Sequence, residues 1–539
     1  MRKSLILLLF LLDCAPVHAL APTEEAIRQF CEVIQEHPGD TSAGSQVATV
    51  RLLTDFYARR GFRPVWSDEV RFHALLAVLE TADAHGLDPA DYHYRQLSSW
   101  TFPDNNPHRQ AERDILATDA LIRYGSHLYF GKLDPANLDP DWNLARHGNG
   151  RDPVALLETA VAAPSLHAYV DTQLAPNGPF YTGLKLALAH YREIARAGGW
   201  PTVPDGPTLT PGDENDRVTV LRARLSVTDA GDELRSDTPA YFDPRLESAV
   251  RHFQRHHGLA EDGLVGRRTL RALNVPVESR IDQLRVNMER TRWVFRNLEA
   301  RYLIVNIAGF HAYLIEDGKR VWDSRVVVGT RYRKTPVFRS RLTYLVFNPT
   351  WTVPPTILKE DIIPAIRRDP GYLSDHNMVL LDTSGRHVDP AGIDLANLSA
   401  NYFPYTVRQE PGPKNSLGRI KFMFPNEHFV YLHDTPSRGL FERTDRTFSS
   451  GCIRVEYPLT LAERLLDDPV MWSQSGIRRQ LEEGVTRTVS LRRPLTVFLV
   501  YWTAEPEADG TVNFFNDVYA RDAAVLEGLR FIRGRGTGP

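Results

Sequence analysis

Cysteine is almost missing from this chain: three residues in 539, at positions 14, 31 and 452. That is too few for a disulfide framework. Neither a His-Glu-x-x-His pair nor a paired Cys-x-x-Cys occurs, and His428, His433 and Cys452 lack the short ligand spacing of zinc sites, so no metal is expected. The glycine-rich pieces carry no P-loop lysine pattern, and no cofactor is called for. Charge of one sign is missing too. Sixty-four Lys and Arg stand against 67 Asp and Glu, a formal balance of -3, which excludes the basic footprint of a nucleic-acid binder. Nor is there a hydrophobic run near the N-terminus long enough to span a membrane: Leu5 to Leu12 falls well short of ~20 residues.

That short run has a meaning of its own. Arg2 and Lys3 precede it and Ala15, Ala19 and Ala21 follow, the order of a signal peptide cut after Ala19 or Ala21. Export to the periplasm is the expectation, with an uncleaved inner-membrane anchor as the rival reading. Lipidation at Cys14 fits less well, because Asp13 stands where a small residue belongs. Cys31 lies with Ile27, Phe30 and Ile34 at helical spacing and reads as core. A Cys31 to Cys452 bridge would consume the one thiol that looks arranged for chemistry.

Length predicts about three or four domains. Residues 22–199 have helical periodicity, as in Phe72, Leu75, Leu76 and Leu79 before the stop at His85-Gly86, and in Leu121 with Ile122. The lone histidines there read as surface or cap residues. A Pro/Gly-rich stretch from Gly198 to Gly212 reads as a linker. Residues 200–278 then read as helix, glycine stop at Gly258, Asp262-Gly263 turn and second helix. From about 300 onward strands dominate, including Tyr302 to Ile307, Leu342 to Phe347, Arg419 to Phe424, Phe429 to His433 and Leu495 to Trp502, with Asp317-Gly318 as a tight hairpin turn. Helices are expected there at Leu459 to Leu466 and Ile477 to Leu481, with a helix-like stretch at Lys359 to Arg367. Between Trp351 and Arg408 the strand pattern breaks for longer than an ordinary loop, which predicts a subdomain or lid.

Cys452 follows His433 by nineteen positions and is preceded by Ser449, Ser450 and Gly451. A cysteine attacks as thiolate and needs a partner that takes its proton, a task suited to histidine. Gly451 permits positive φ, and successive N–H groups around it can converge on an anion. The competing reading is structural, a small buried hydrophobe and a hydrogen-bonded core histidine.

The words around the pair favour chemistry. His433 followed by Ser449-x-Gly451-Cys452 and Arg454, together with Arg408-Gln-Glu-Pro-Gly-Pro, Asn415-Ser-Leu-Gly418, Lys421-Phe-Met-Phe-Pro-Asn426 and His433-Asp-Thr-Pro436, resembles the L,D-transpeptidase catalytic domain, in its large periplasmic form. The resemblance implies a multidomain α+β chain. It would comprise a helical scaffold (22–199, matched at Arg60 to Trp66 and Phe130 to Leu133), a small helical peptidoglycan-binding module (200–278), and a mainly β, sandwich-like catalytic domain (279–539) with a capping insert at 352–407. It implies a donor stem peptide that acylates Cys452, loss of terminal D-alanine, and attack by the side-chain amine of a second diaminopimelate stem. Peptidoglycan stems and glycan strands would be the partners, besides other cell-wall synthesis proteins. Hydrolysis or lipoprotein attachment through the same thioester stays open, as does a non-catalytic murein binder.

Roles near the thiol follow from that resemblance. His433 is the base, and the N–H groups of Gly451 and Cys452 are the expected oxyanion donors. Ser450 either holds the loop or touches the oxyanion. Arg454 either braces the turn through carbonyls or meets a substrate carboxylate. Tyr431 and Trp351 are candidates for the donor groove. Many relatives have Gly after the histidine where this chain has Asp434, so the group that orients His433 is left open between the Asp434 carbonyl and its carboxylate, the latter disfavoured because it points to the other face of the strand.

Overall fold

The computed structural model describes residues 20–36, 49–140, 142–143, 152–230, 234–295, 298–369, 371–393 and 403–530. Most of the signal segment, with Cys14, lies outside them. Among the described residues no helix is long and apolar enough to cross a membrane.

Up to residue 199 the described residues fold mainly as helices around Pro107–Phe130, which is started by Asn106 accepting from the N–H groups of His108 and Arg109 and is largely buried. Its Asp114 carboxylate is buried and receives the Val65 and Trp66 N–H groups and the Tyr57 hydroxyl. The segment Arg60 to Trp66 is thereby bent over a buried acid, at a site where a lost partner would strand a charge. Cys31 sits in this core, where burial pushes its thiol up to about 12. His85 departs from the surface role expected of it. It is buried, its Nδ1 lies 2.9 Å from the Tyr181 hydroxyl, and desolvation holds it neutral.

Residues 200–278 keep a separate core built by Leu221, Leu225, Leu246, Val250, Phe253 and Leu273. Gln254 explains the Asp-Gly turn: its amide donates to Asp262 (2.7 Å) and the Leu264 carbonyl, and accepts from Gly263 N–H, whose φ is +75°. These motif positions serve folding.

The helix Val277–Val294 leads into the C-terminal half and docks it on the scaffold. Glu289 and Arg292, both fully buried, pair at 2.8 Å. Glu289 also accepts from Leu133 N–H at 2.8 Å, and Arg292 donates to the Tyr181 hydroxyl at 3.0 Å. Gly131 lies against this helix so closely that a Cβ would stand 2.5 Å from the Trp293 indole nitrogen. The scaffold motif Phe130 to Leu133 is thus a docking motif. Scaffold and catalytic halves share one continuous apolar core, and the scaffold strand Trp142–Asn143 pairs with Val337 and Phe338 of the catalytic sheet.

That sheet runs in order from Val337–Phe347 through Ile420–Met423, Leu432–His433, Ile453–Val455, Lys319–Gly329, His311–Glu316 and Arg301–Asn306 to Arg487–Val500, which pairs back with Val337–Phe347. The hydrogen-bonded path therefore closes on itself. Asp317 and Gly318 turn the first hairpin with φ of 48° and 77°, the signs a two-residue hairpin requires. The interruption expected after Trp351 folds as a subdomain with its own four-stranded sheet and a core of Val353, Ile362, Ile366, Leu373, Met378 and Leu380. One helix escaped the periodicity reading, Asp522–Arg530, whose Asp522 is held by Arg290 and Thr503.

Glu289→Ala leaves Arg292 charged and dry in the scaffold junction, where such losses cost about 3–5 kcal/mol. Removing Glu247 from its half-exposed pair with Arg251 should cost under ~1 kcal/mol. Thermal denaturation of the two variants should show a large fall in melting temperature for the first and almost none for the second.

Candidate active site

Three short strands carry the chemistry. Lys421 is the register partner of His433, and His433 is the register partner of Arg454. Neighbouring residues in register share a face of a sheet, so Lys421, His433 and Arg454 form one row across it. One step along, Ile453 N–H donates to the Tyr431 carbonyl at 3.1 Å, which sets Cys452 beside Tyr431 in the next row. The sequence pair His433 and Cys452 is therefore brought to one face of adjacent parallel strands.

His433 is buried, and its Nδ1 stands 2.5 Å from the main-chain carbonyl of Asp434. A carbonyl only accepts, so Nδ1 carries the proton and Nε2 keeps its lone pair. The Asp434 carboxylate is occupied elsewhere, by Arg419 N–H at 2.8 Å and the Arg438 guanidinium at 2.5 Å. Asp434 also explains Gly418, whose φ is +61° and where a Cβ would stand 2.4 Å from the carboxylate. The open choice over what orients His433 thus resolves to the carbonyl. Burial, the Arg454 charge and the Lys421 charge hold the imidazole down at about 3, against the pull of the Asp434 and Leu417 carbonyls.

Cys452 is half-buried and free. Its Sγ approaches the Phe429 carbonyl at 3.9 Å. Phe429 holds a left-handed φ of 55° and is exposed, a conformation an aromatic residue adopts only when its surroundings impose it. Asn426 imposes it, accepting from the His428 and Val430 N–H groups and donating to the Phe424 and Val430 carbonyls. Burial raises the Cys452 thiol, while the Tyr431 N–H, Lys421, the Tyr431 hydroxyl and Arg454 oppose the rise. The Tyr431 hydroxyl lies within electrostatic reach of both the Cys452 sulfur and the Trp351 indole. Tyr431 therefore lines the thiol directly. Trp351 is buried in the cap core and acts from behind it.

The turn before the thiol corrects two expectations. Gly451 has φ +114° as anticipated, yet its N–H already donates to Ser449 Oγ at 3.1 Å, and the same hydroxyl donates to the Cys452 carbonyl at 2.5 Å. A short side chain two residues back reaches that N–H before any oxyanion can. Bracing falls to residues that the sequence reading passed over. Thr335 Oγ1 donates to the Gly451 carbonyl at 2.8 Å and accepts from Gly329 N–H, and Tyr519 donates to the Gly329 carbonyl at 2.6 Å. Ser450 supports the loop in another way, accepting from Arg333 at 2.8 Å while Arg333 also holds Asp361 at 2.7 Å and Glu360 on the first turns of the cap. Arg454 does not brace through carbonyls, for its buried Nε has no hydrogen-bond partner. Among the described residues no group of three or more His, Cys, Asp or Glu is placed to hold a metal.

Three family matches divide the chain. Residues 51–188 match a scaffold domain, residues 215–273 a "Putative peptidoglycan binding domain", and residues 300–472 the L,D-transpeptidase catalytic domain. A "Putative L,D-transpeptidase" of Haemophilus influenzae is 39% identical over 274 residues, 50% of this chain and 54% of that protein. The match thus spans about half the length of that curated relative. The N-acetylmuramoyl-L-alanine amidase CwlM of Mycobacterium tuberculosis is 40% identical over 80 residues, 14% of this chain and 20% of its own. Among solved structures, an L,D-transpeptidase from Stackebrandtia nassauensis overlaps 56% of this chain and 96% of its own at 14% identity, with a TM-score of 0.21.

A raised thiol beside an imidazole held near 3 makes the resting pair neutral rather than a thiolate–imidazolium pair. Alkylation of Cys452 by iodoacetamide, followed by intact mass, should then climb with pH beyond the ordinary thiol value of about 8.5. A plateau from about pH 5 to 7, the mark of a preformed ion pair, would contradict this. Thr335→Val should slow the same alkylation several-fold by releasing the Gly451 turn, and should lower the melting temperature because it strands the buried Gly329 N–H and Gly451 carbonyl.

Proposed function

Proceeding from a chain whose residues 300–472 are an L,D-transpeptidase catalytic domain, behind a peptidoglycan-binding module and a scaffold domain, we propose that the protein is an exported cysteine L,D-transpeptidase of peptidoglycan. It acts in the periplasm and joins diaminopimelate residues of neighbouring stems. The observation that carries this reading is the His433 imidazole, fixed through Nδ1 by the Asp434 carbonyl on the sheet face that also carries Cys452.

Burial makes both partners neutral, so the proton leaves sulfur as the sulfur attacks. His433 Nε2 takes it while Sγ bonds to the carbonyl carbon of the diaminopimelate L-centre, whose oxygen becomes an oxyanion. With Gly451 N–H engaged by Ser449, the donor left at that turn is the N–H of Cys452 itself, a preorganised dipole of the kind that stabilises such an oxygen. Collapse breaks the bond to D-alanine, whose nitrogen receives the proton from His433, and leaves a thioester. The second stem's amine then gives its proton to His433 and attacks the thioester, and Sγ leaves as the thiol, taking that proton from His433. The inserted subdomain packs on Tyr431 and is tied to the nucleophile turn by Arg333, which supports a capping role. Excluding water there favours an amine over hydrolysis.

Purified protein lacking residues 1–21, incubated with disaccharide tetrapeptide, should yield a dimer that has lost one D-alanine, read by mass spectrometry. Cys452→Ala should yield none, and His433→Ala should slow acylation by ~10²–10⁴-fold. Tripeptide without dimer would replace transfer by hydrolysis. An unchanged substrate with the unsubstituted protein would remove catalysis from the account.

A further inference from the structure

Lys421 and Arg454 stand on either side of His433 in one row of the sheet. Both are partly buried, and among the described residues neither has a carboxylate partner. The one titratable acid whose ionised form bears on both is Cys452, which rests as the neutral thiol. Lys421 Nζ lies 3.8 Å from the centre of the Tyr431 ring, the ring whose hydroxyl lies within electrostatic reach of the sulfur. Arg454 keeps a buried Nε with no partner at all. Other arginines around the site are committed: Arg333 to Asp361, Arg438 to Asp434, Arg325 to Glu456. Two desolvated, unneutralised cations flanking a general base are costly unless an anion comes to them. A neutral scaffold role does not require both charges.

We propose that Lys421 and Arg454 together form the anion receptor of this site, taking the free carboxylates of the donor stem on the two sides of the reacting carbonyl. The assignment rests on the function proposed above and adds what the site selects: a stem with free carboxylates over its carboxamide. Arg454 presents a planar fork suited to bidentate pairing, and Lys421 a point charge whose position the Tyr431 ring fixes. With those charges met, the carbonyl is held over Cys452 beside His433, so both residues set specificity and position.

Two measurements on the full chain test this apart from turnover. The first is the ratio of Cys452 alkylation rates by anionic iodoacetate and neutral iodoacetamide. Lys421→Met and Arg454→Gln should each lower that ratio several-fold, while Lys421→Arg and Arg454→Lys keep most of it, which a general loss of structure would not do. The second is binding of disaccharide tetrapeptide to Cys452→Ala protein. Amidation of a stem carboxylate should weaken binding roughly 10- to 100-fold, the worth of a hydrogen bond to a charged group. That penalty should vanish in the variant lacking the matching cation. A ratio unchanged in both variants overturns the receptor, and binding indifferent to amidation overturns the stem carboxylate as its occupant. Failure of the unsubstituted protein to turn over the tetrapeptide bears on the proposed reaction alone, because neither measurement depends on it.

Discussion

A strand pair only a few residues long, Leu432–His433 beside Ile453–Val455, is the constraint on which the reactive geometry depends. A parallel ladder fixes register, and a slip of one residue would send His433 and Cys452 to opposite faces. Such short strands cannot hold register by themselves. They are held because Ile420–Met423 flanks one side and Lys319–Gly329 the other, and because Leu432, Ile453 and Val455 fill the core behind them. The face away from the chemistry supplies the apolar burial, and the face toward it is left free to carry charge.

That division explains the electrostatics. Desolvation disfavours charge on the thiol and on the imidazole, and the neighbouring cations oppose it at sulfur while reinforcing it at nitrogen. The site at rest is therefore a neutral thiol and a neutral base inside a positive frame. In the reaction proposed above, negative charge forms first at sulfur and then at the carbonyl oxygen, which is where a positive frame helps. A carboxylate in place of Asp434's carbonyl would have cancelled part of that frame and favoured the imidazolium. The Asp434 side chain is instead turned away, toward Arg419 and Arg438, and serves the tight turn at Gly418.

Local features were legible in the sequence; features made by distant register were not. Cys452 and His433 announced themselves through a short run with one glycine of positive φ, and Asp317-Gly318 through turn chemistry, since each is decided within a few residues. The core position of Cys31 was readable from helical spacing for the same reason. Lys421 lay inside a recognised motif but looked like one of many strand lysines, because its place beside His433 exists only once three strands are in register. Thr335 and Tyr519 offered no signal, for a hydroxyl that reaches across to the Gly451 carbonyl looks like any other hydroxyl. Gly451 N–H was misjudged through Ser449, whose side chain closes on it locally. The Asp522–Arg530 helix was hidden because much of what holds it is polar pairing with the buried helix Val277–Val294 rather than a strong stripe of its own.

The same contrast between local and distant packing separates the domains mechanically. Scaffold and catalytic halves share one apolar core and a buried Glu289–Arg292 pair, so parting them would expose hydrocarbon and a dry charge together. The module at 200–278 has its own core, and its contacts with the C-terminal half include polar ones, such as His256 with Asn513 and Arg268 with Thr444. Polar contacts of that kind exchange with water at little net cost. Apolar packing joins the module there as well, with His257 stacked on Phe514 at 5.8 Å, whereas the scaffold junction adds a shared core and a buried ion pair. The scaffold junction thereby preserves the register of the few strand residues that carry His433 and Cys452.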